Sequence, residues 1–221
     1  LAALTSGVKN IAIGFQALST IDTGANNTAI GYQAMVDTDN SGGSDDTKDS
    51  DHNTFIGSHC GGGTWAAGKS EANTAVGSSA MIGALDTANY NVAMGLSALA
   101  GAVSGDGSVA IGSSALNALT SGGGNVAVGY DAGGDVTTGT YNTIIGHLAL
   151  DEGSTQVSNN VAIGKGTMGG SIGTEAVINC VAVGYTALQG TLEEEVSGSI
   201  AIGVSALAAL TTGAGNTAVG Y

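Results

Sequence analysis

The stretch Asn27-Thr28-Ala29-Ile30-Gly31-Tyr32-Gln33-Ala34 decides the fold, because its pattern returns along the whole chain. The motif is Asn, a β-branched residue, Ala, an aliphatic residue and Gly, then two variable residues and Ala-Leu. It recurs from Asn10-Ile11-Ala12-Ile13-Gly14 to Asn216-Thr217-Ala218-Val219-Gly220. Its glycines are Gly14, Gly31, Gly57, Gly77, Gly95, Gly112, Gly129, Gly146, Gly164, Gly184, Gly203 and Gly220, spaced 17, 26, 20, 18, 17, 17, 17, 18, 20, 19 and 17 residues apart. Twelve copies of so short a unit mark a solenoid, in which each repeat rests on its neighbours.

Each column of the repeat has a physical reading. The second position is Val, Ile or Thr in every copy, and the fourth is Val or Ile except at Met94. Two β-branched residues separated by one make a strand, since side chains alternate across the pleat. A helix would not carry Gly beside them in every copy. The first column is Asn at Asn10, Asn27, Asn53, Asn73, Asn91, Asn125, Asn142, Asn160 and Asn216, with Ser108, Cys180 and Ser199 in its place elsewhere. Asn tolerates a left-handed corner and bonds nearby backbone, so stacked copies predict an amide ladder. The glycine column marks the opposite corner, where a Cβ would clash or φ must be positive. The Ala-Leu that follows reads as a second short strand returning across the coil. The expected fold is therefore all-β: a parallel β-solenoid of about twelve coils, forming a single repeat domain over residues 1–221. At ~4.8 Å per coil it makes a rod roughly 55 Å long.

The small third column, opposite the β-branched face, reads as a continuous apolar strip that would be bare in a monomer. Packing several chains side by side would cover it, so an oligomer is expected. The second-column threonines are expected to face inward.

Composition agrees with a coil rich in turns. The chain has 39 glycines, no proline, 43 % hydrophobic and only 10 % charged residues. Disordered chains share the low aromatic content but are highly charged and poor in aliphatics. A net charge of −14 argues against nucleic acid, which needs a basic stripe, and against an anionic membrane surface. No apolar run reaches the ~18 residues of a membrane-spanning helix.

The columns, and the fuller form from Asn27 to Ala34, resemble the head repeats of trimeric autotransporter adhesins and the similar repeats of bacteriophage tail fibres. The resemblance covers Asn10 to Tyr221. It implies a left-handed β-roll, a homotrimeric rod, and an extracellular, cell-surface or virion location. Its implied function is a structural segment giving reach and multivalent surface attachment, with a host glycan or protein as partner. The repeats here are longer than those of an adhesin head, and neither a coiled-coil stalk nor a membrane anchor accompanies them.

Every insertion falls after Ala-Leu and before the next Asn, giving loops at 36–52, 61–72, 165–179 and 189–198 on one side of the rod. In the longest, Asp37, Asp39, Ser41 and Asp45 resemble a calcium loop, with alternating oxygens ahead of Gly42. Position twelve is Lys48 rather than the bidentate Glu, so Ca²⁺ competes with a merely solvated acidic loop. No other cofactor is implied. Gly63-Thr64-Trp65-Ala66-Ala67-Gly68-Lys69-Ser70 matches the phosphate-loop pattern, but the next repeat begins at Asn73 and leaves no room for the helix that would cradle phosphate. Gly169-Gly170-Ser171-Ile172-Gly173 fits the nucleophile-elbow pattern, again without its helix. No enzyme is expected. Tyr32, Tyr130 and Tyr185 follow the corner glycine and could stack on sugars, or could cover neighbouring coils. Trp65 is read as either a partner anchor or a lid on its loop. Cys60 and Cys180 lie seven coils apart, too far for a disulfide, and are expected to be free thiols. Leu1–Gly7 repeats the pattern of Leu207–Gly213, so the chain is expected to be a window on a longer fibre, with end-to-end filament assembly as the alternative. An ice- or mineral-binding surface is a remote alternative, because only five of the twelve second-column residues are Thr.

Overall fold

The computed structural model describes residues 7–19, 23–36, 50–63, 65, 69–152, 157–170, 172, 177–192 and 196–221. Among them there is no helix. The strands are β1 (Ile11–Ile13), β2 (Thr28–Ile30), β3 (Thr54–Ile56), β4 (Thr74–Val76), β5 (Val92–Met94), β6 (Val109–Ile111), β7 (Val126–Val128), β8 (Thr143–Ile145), β9 (Val157–Ser158), β10 (Val161–Ile163), β11 (Val177–Ile178), β12 (Val181–Val183), β13 (Ile200–Ile202) and β14 (Thr217–Val219). Twelve of them form one parallel sheet in chain order, and β9 pairs with β11 in a separate small sheet. The register matches the repeat columns, as in Val109↔Val126, Ala110↔Ala127 and Ile111↔Val128. The 26-residue spacing between Gly31 and Gly57 leaves this alignment intact, with Ala29 opposite Phe55. Insertions are thus absorbed between rungs without disturbing the ladder.

The interior inverts the expectation for the strand. Ala29, Ala75, Ala93, Ala110 and Ala127 are fully buried, whereas the β-branched residues on either side point outward. The physical reason is width. A rung of about 17 residues closes so tightly that the strand contributes a methyl group in most rungs, while the longer side chains come from the turn and from the segment after it, as Leu116 and Leu119 do. From the turn come Leu18, Met35, Met81, Leu99, Leu116 and Leu150, each fully buried. The apolar strip on the outside is therefore the β-branched one, and the second-column threonines face out rather than in.

The Ala-Leu segment also departs from expectation. It is a double turn, not a second strand. Two residues in each turn are left-handed, for example Ser97 (φ 53°) with Leu99 (φ 51°), and Ser114 (φ 58°) with Leu116 (φ 51°). A left-handed L-residue costs roughly 1–2 kcal/mol, so burial of the leucine must offset its own backbone strain. The turn still joins the ladder between rungs. The Leu99 N–H donates to the Ala115 carbonyl at 2.9 Å, and that of Ser114 to the Leu96 carbonyl at 2.9 Å. Residues 165–168 belong to this regular turn, so the extra residues of that rung begin later than position 165.

Two rungs carry a large residue in the alanine column, and each is matched by a glycine elsewhere. Phe55 is fully buried, and Gly61, where most rungs carry Leu or Met, faces its ring. A Cβ on Gly61 would lie 2.7 Å from that ring. Likewise Ile144 fills space left at Gly133, whose added Cβ would lie 2.8 Å from the Ile144 Cδ1. Core volume is conserved while the residues that supply it change places.

Candidate interaction surfaces

The amide column builds the first feature. Each Asn Oδ1 accepts the backbone N–H of the residue one rung on: Asn27 from Asn53, Asn53 from Asn73, at 2.9 Å in both cases. From Asn10 to Asn160 each Nδ2 donates to the carbonyl three residues before the next column member, as Asn91 does to Gly105 at 2.9 Å and Asn125 to Gly139 at 2.8 Å. The Asn10 Oδ1 begins the run by accepting from the Asn27 N–H at 2.9 Å. Asn142 and Asn160 continue it with bonds of 3.0 Å. Asn27, Asn53, Asn73, Asn91 and Asn125 are fully buried, so this column is internal scaffolding and presents nothing to a ligand. The left-handed corner lies one residue earlier than the Asn, at Asn26 (φ 58°), His52 (φ 61°), Ala72 (φ 55°), Tyr90 (φ 60°) and Tyr141 (φ 57°). The signal was present in the sequence, because that position is Gly at Gly107, Gly124, Gly198 and Gly215.

Cys180 occupies an Asn position. Its Sγ donates to the Val196 carbonyl at 3.2 Å, replacing the amide Nδ2. Burial pushes its thiol up, against the pull of the Ser199 and Gly198 backbone N–H groups. Cys60 lies in the turn column, its Sγ donating to the Ala75 carbonyl at 3.4 Å. Burial pushes Cys60 up to about 12, only partly offset by a backbone hydrogen bond at Ile56. Both are buried free thiols.

The aromatic residues after the corner glycine form a partial ladder on the turn side. Phe15 and Tyr32 stack with ring centres 5.5 Å apart, and Tyr32 meets His59 edge-on at 5.3 Å. Tyr130 stacks on His147 at 5.2 Å. Tyr32 and Tyr130 thus lend ring surface to neighbouring rungs while staying about half exposed. Tyr185 is half exposed. These three tyrosines stand on rungs two, seven and ten, so they do not converge on one pocket. Trp65 is 1 % exposed and packs edge-to-face on Phe55 at 5.8 Å, which makes it a plug of the core rather than an offered anchor.

Acidic groups gather beside the Tyr130–His147 stack. The Asp131 carboxyl is pushed up by burial and by Asp135, with His147 pulling it down. That of Asp151 is pushed up by burial, with Glu152 and Asp131 adding to the rise. Among the described residues no group of three or more His, Cys, Asp or Glu side chains is placed to hold a metal ion. The calcium candidates Asp37, Asp39, Ser41 and Asp45 lie outside the described residues, as do Glu193–Glu195. In the phosphate-loop pattern, Ser70 is buried, its N–H bonded to the Ser50 Oγ at 3.2 Å and its carbonyl to the Asn53 Nδ2 at 2.8 Å. Strand β4 follows directly, so no helix N-terminus is available to an anion. In the nucleophile-elbow pattern, Ser171 and Gly173 lie outside the described residues.

The outer face of the twelve-stranded sheet runs the length of the ladder. Its two outward columns hold only Val, Ile, Thr and Met, with Ile13, Ile56, Met94, Ile145 and Ile202 exposed. None of its strand residues carries a charge, although the chain has 18 acidic residues. Among the described residues no helix is long and apolar enough to cross a membrane. No known protein family, curated protein or solved structure matches this chain.

Proposed function

We propose that this chain is a non-enzymatic structural segment of an extracellular fibre, an adhesin head or a tail fibre, giving reach and holding loops in multiple copies against a surface. The observation that carries this reading is the unbroken register of twelve rungs through insertions of unequal length. A parallel ladder that accepts a 26-residue step as readily as a 17-residue one separates a stiff axis from freely variable loops. Stiff axes suit reach, and repeated loops suit avidity, in which weak sites act together. Homotrimeric packing and a surface glycan or protein as target belong to the same proposal, on the strength of the repeat resemblance. Rods seen by cryo-electron microscopy, with layers every ~4.8 Å and loops projecting from one edge, are the expected result. Compact particles with no axial repeat would overturn it.

One observation favours a second reading. Thr28, Thr54 and Thr74 face outward in register on three consecutive rungs, the kind of repeat that an ice or mineral lattice would require. The fourth column beside them is aliphatic, so the array is one residue wide. Absence of thermal hysteresis and of ice-crystal shaping is the outcome expected from the fibre reading.

A further inference from the structure

We infer that Tyr90 and Tyr141, with the glycine corners between them, form a binding edge for a neutral glycan chain. The inference rests on the fibre reading above and gives that fibre a contact site apart from the tyrosines of the turn side.

Four observations carry it. The first is place. The Gly107 N–H donates to the Asn89 carbonyl at 2.9 Å, that of Gly124 to Asp106 at 2.8 Å and that of Tyr141 to Gly123 at 3.1 Å. Tyr90, Gly107, Gly124 and Tyr141 therefore occupy one column on consecutive rungs. The two tyrosines stand three rungs apart, or ~14 Å. The second is strain without burial. Both tyrosines are left-handed, at φ 60° and 57°, in a column that is Gly on four other rungs. A bulky side chain at positive φ is a backbone outlier, and such outliers gather at ligand sites. The buried leucines of the double turn offset that strain by packing, but Tyr90 is 67 % exposed and Tyr141 70 %. Among the described residues neither ring stacks on another ring. The fold does not repay their strain. The third is shape. A Cβ on Gly107 would meet nothing within 4 Å, so the edge is bare there. The Tyr141 ring backs onto Gly124, 2.6 Å from where a Cβ would stand. The edge is thus a shallow saddle with a bare floor and aromatic rings at both ends. The fourth is chemistry. Asp106 is exposed beside the floor, its Oδ1 held by the Asn89 N–H at 2.7 Å and the Asn89 Nδ2 at 3.3 Å. A held carboxylate accepts from sugar hydroxyls, while tyrosine rings take the C–H face of a sugar and bond its rim. A polyproline segment would use the rings, yet it has no N–H for the carboxylate. With a net charge of −14 the chain repels acidic sugars, so the glycan it takes is neutral.

The test is a panel of soluble neutral oligosaccharides of glucose, galactose, mannose and N-acetylglucosamine, with sialylated galactosides beside them. Binding is read by saturation-transfer NMR and titration. The wild type should bind at least one neutral sugar and none of the sialylated ones. Tyr90→Gly and Tyr141→Gly install the residue that the column itself uses, so each should fold and be no less stable than the wild type. Each should weaken the neutral sugar by ~10-fold or more, whereas Tyr130→Ala, on the turn side, should leave it unchanged. No binding of any neutral sugar up to ~10 mM overturns the site while leaving the fibre standing. Preference for the sialylated sugars overturns it, and so does binding lost in Tyr130→Ala but kept in Tyr90→Gly and Tyr141→Gly. A marked fall in melting temperature in either glycine variant would show that the ring covers the fold, and overturns the assignment. Compact particles that still bind a neutral sugar through these tyrosines would overturn the fibre and keep the site.

Discussion

At the scale of single residues, two left-handed columns behave in opposite ways. Gly112 adopts φ +135°, and a Cβ there would drive into the Gly129 carbonyl of the next rung. Its requirement is steric as well as conformational. Gly112→Ala should therefore cost more than ~3 kcal/mol, read as a lowered denaturation midpoint. The corner before the Asn is strained but open at Gly107, Gly198 and Gly215, where a Cβ meets nothing within 4 Å, whereas at Gly124 it would meet the Tyr141 ring. Ala72, at φ 55°, bears the left-handed cost without a clash. Ala72→Gly is expected to stabilise by about 0.5–1 kcal/mol in the same measurement.

Cys60 supplies a pH dependence with a definite sign. Its folded-state value of about 12 lies above the ordinary 9.0 of the unfolded thiol. The unfolded chain therefore releases this proton first. The stability it confers is whole below pH ~9 and drains away as pH climbs toward 12, at up to ~1.4 kcal/mol per pH unit. Between pH 8 and 10.5 the stability of the wild type should fall more steeply than that of Cys60→Ala. Parallel curves would show that the thiol is not held protonated by burial.

At the scale of the element, the rung conserves volume by exchange. Phe55→Ala should cost ~3–5 kcal/mol through the cavity it opens. Gly61→Leu alone should also destabilise, because the new side chain meets the Phe55 ring. Together they rebuild the arrangement of neighbouring rungs, in which Leu99 and Leu116 already tolerate φ near +51° opposite an alanine. The double variant should recover at least half of the summed loss, a coupling that a double-mutant cycle measures directly. Additive losses would mean that the ring and the glycine do not share one space. The strand within each rung was legible from two β-branched residues in every copy but the one with Met94. The double turn was not, because a buried Leu with positive φ is unfavourable locally and is held only by the wall it packs against.

At the scale of the whole molecule, rungs are exchangeable parts. Deleting residues 113–129 removes one 17-residue rung and joins Gly112 to Tyr130, keeping every column aligned. The shortened chain should fold, with a rod ~4.8 Å shorter by small-angle scattering and most of its stability retained. Removing one residue fewer should unfold the remaining rungs or expel a residue as a bulge, since a one-residue slip moves every side chain to the opposite face. Equal stability of the two deletions would overturn the register argument.

Twelve in-phase motifs determined the parallel ladder, its register, the internal amide run and the placing of insertions outside it, because each follows from local spacing alone. Which face of the strand turns inward was decided only in three dimensions. Alternation along a strand separates Ala from its β-branched neighbours but leaves both faces apolar, so parity cannot name the inner one. The width of the closed rung names it: with long side chains arriving from the turn and the segment after it, the strand adds no more than a methyl group in most rungs. The bulkier β-branched columns are left on the outside.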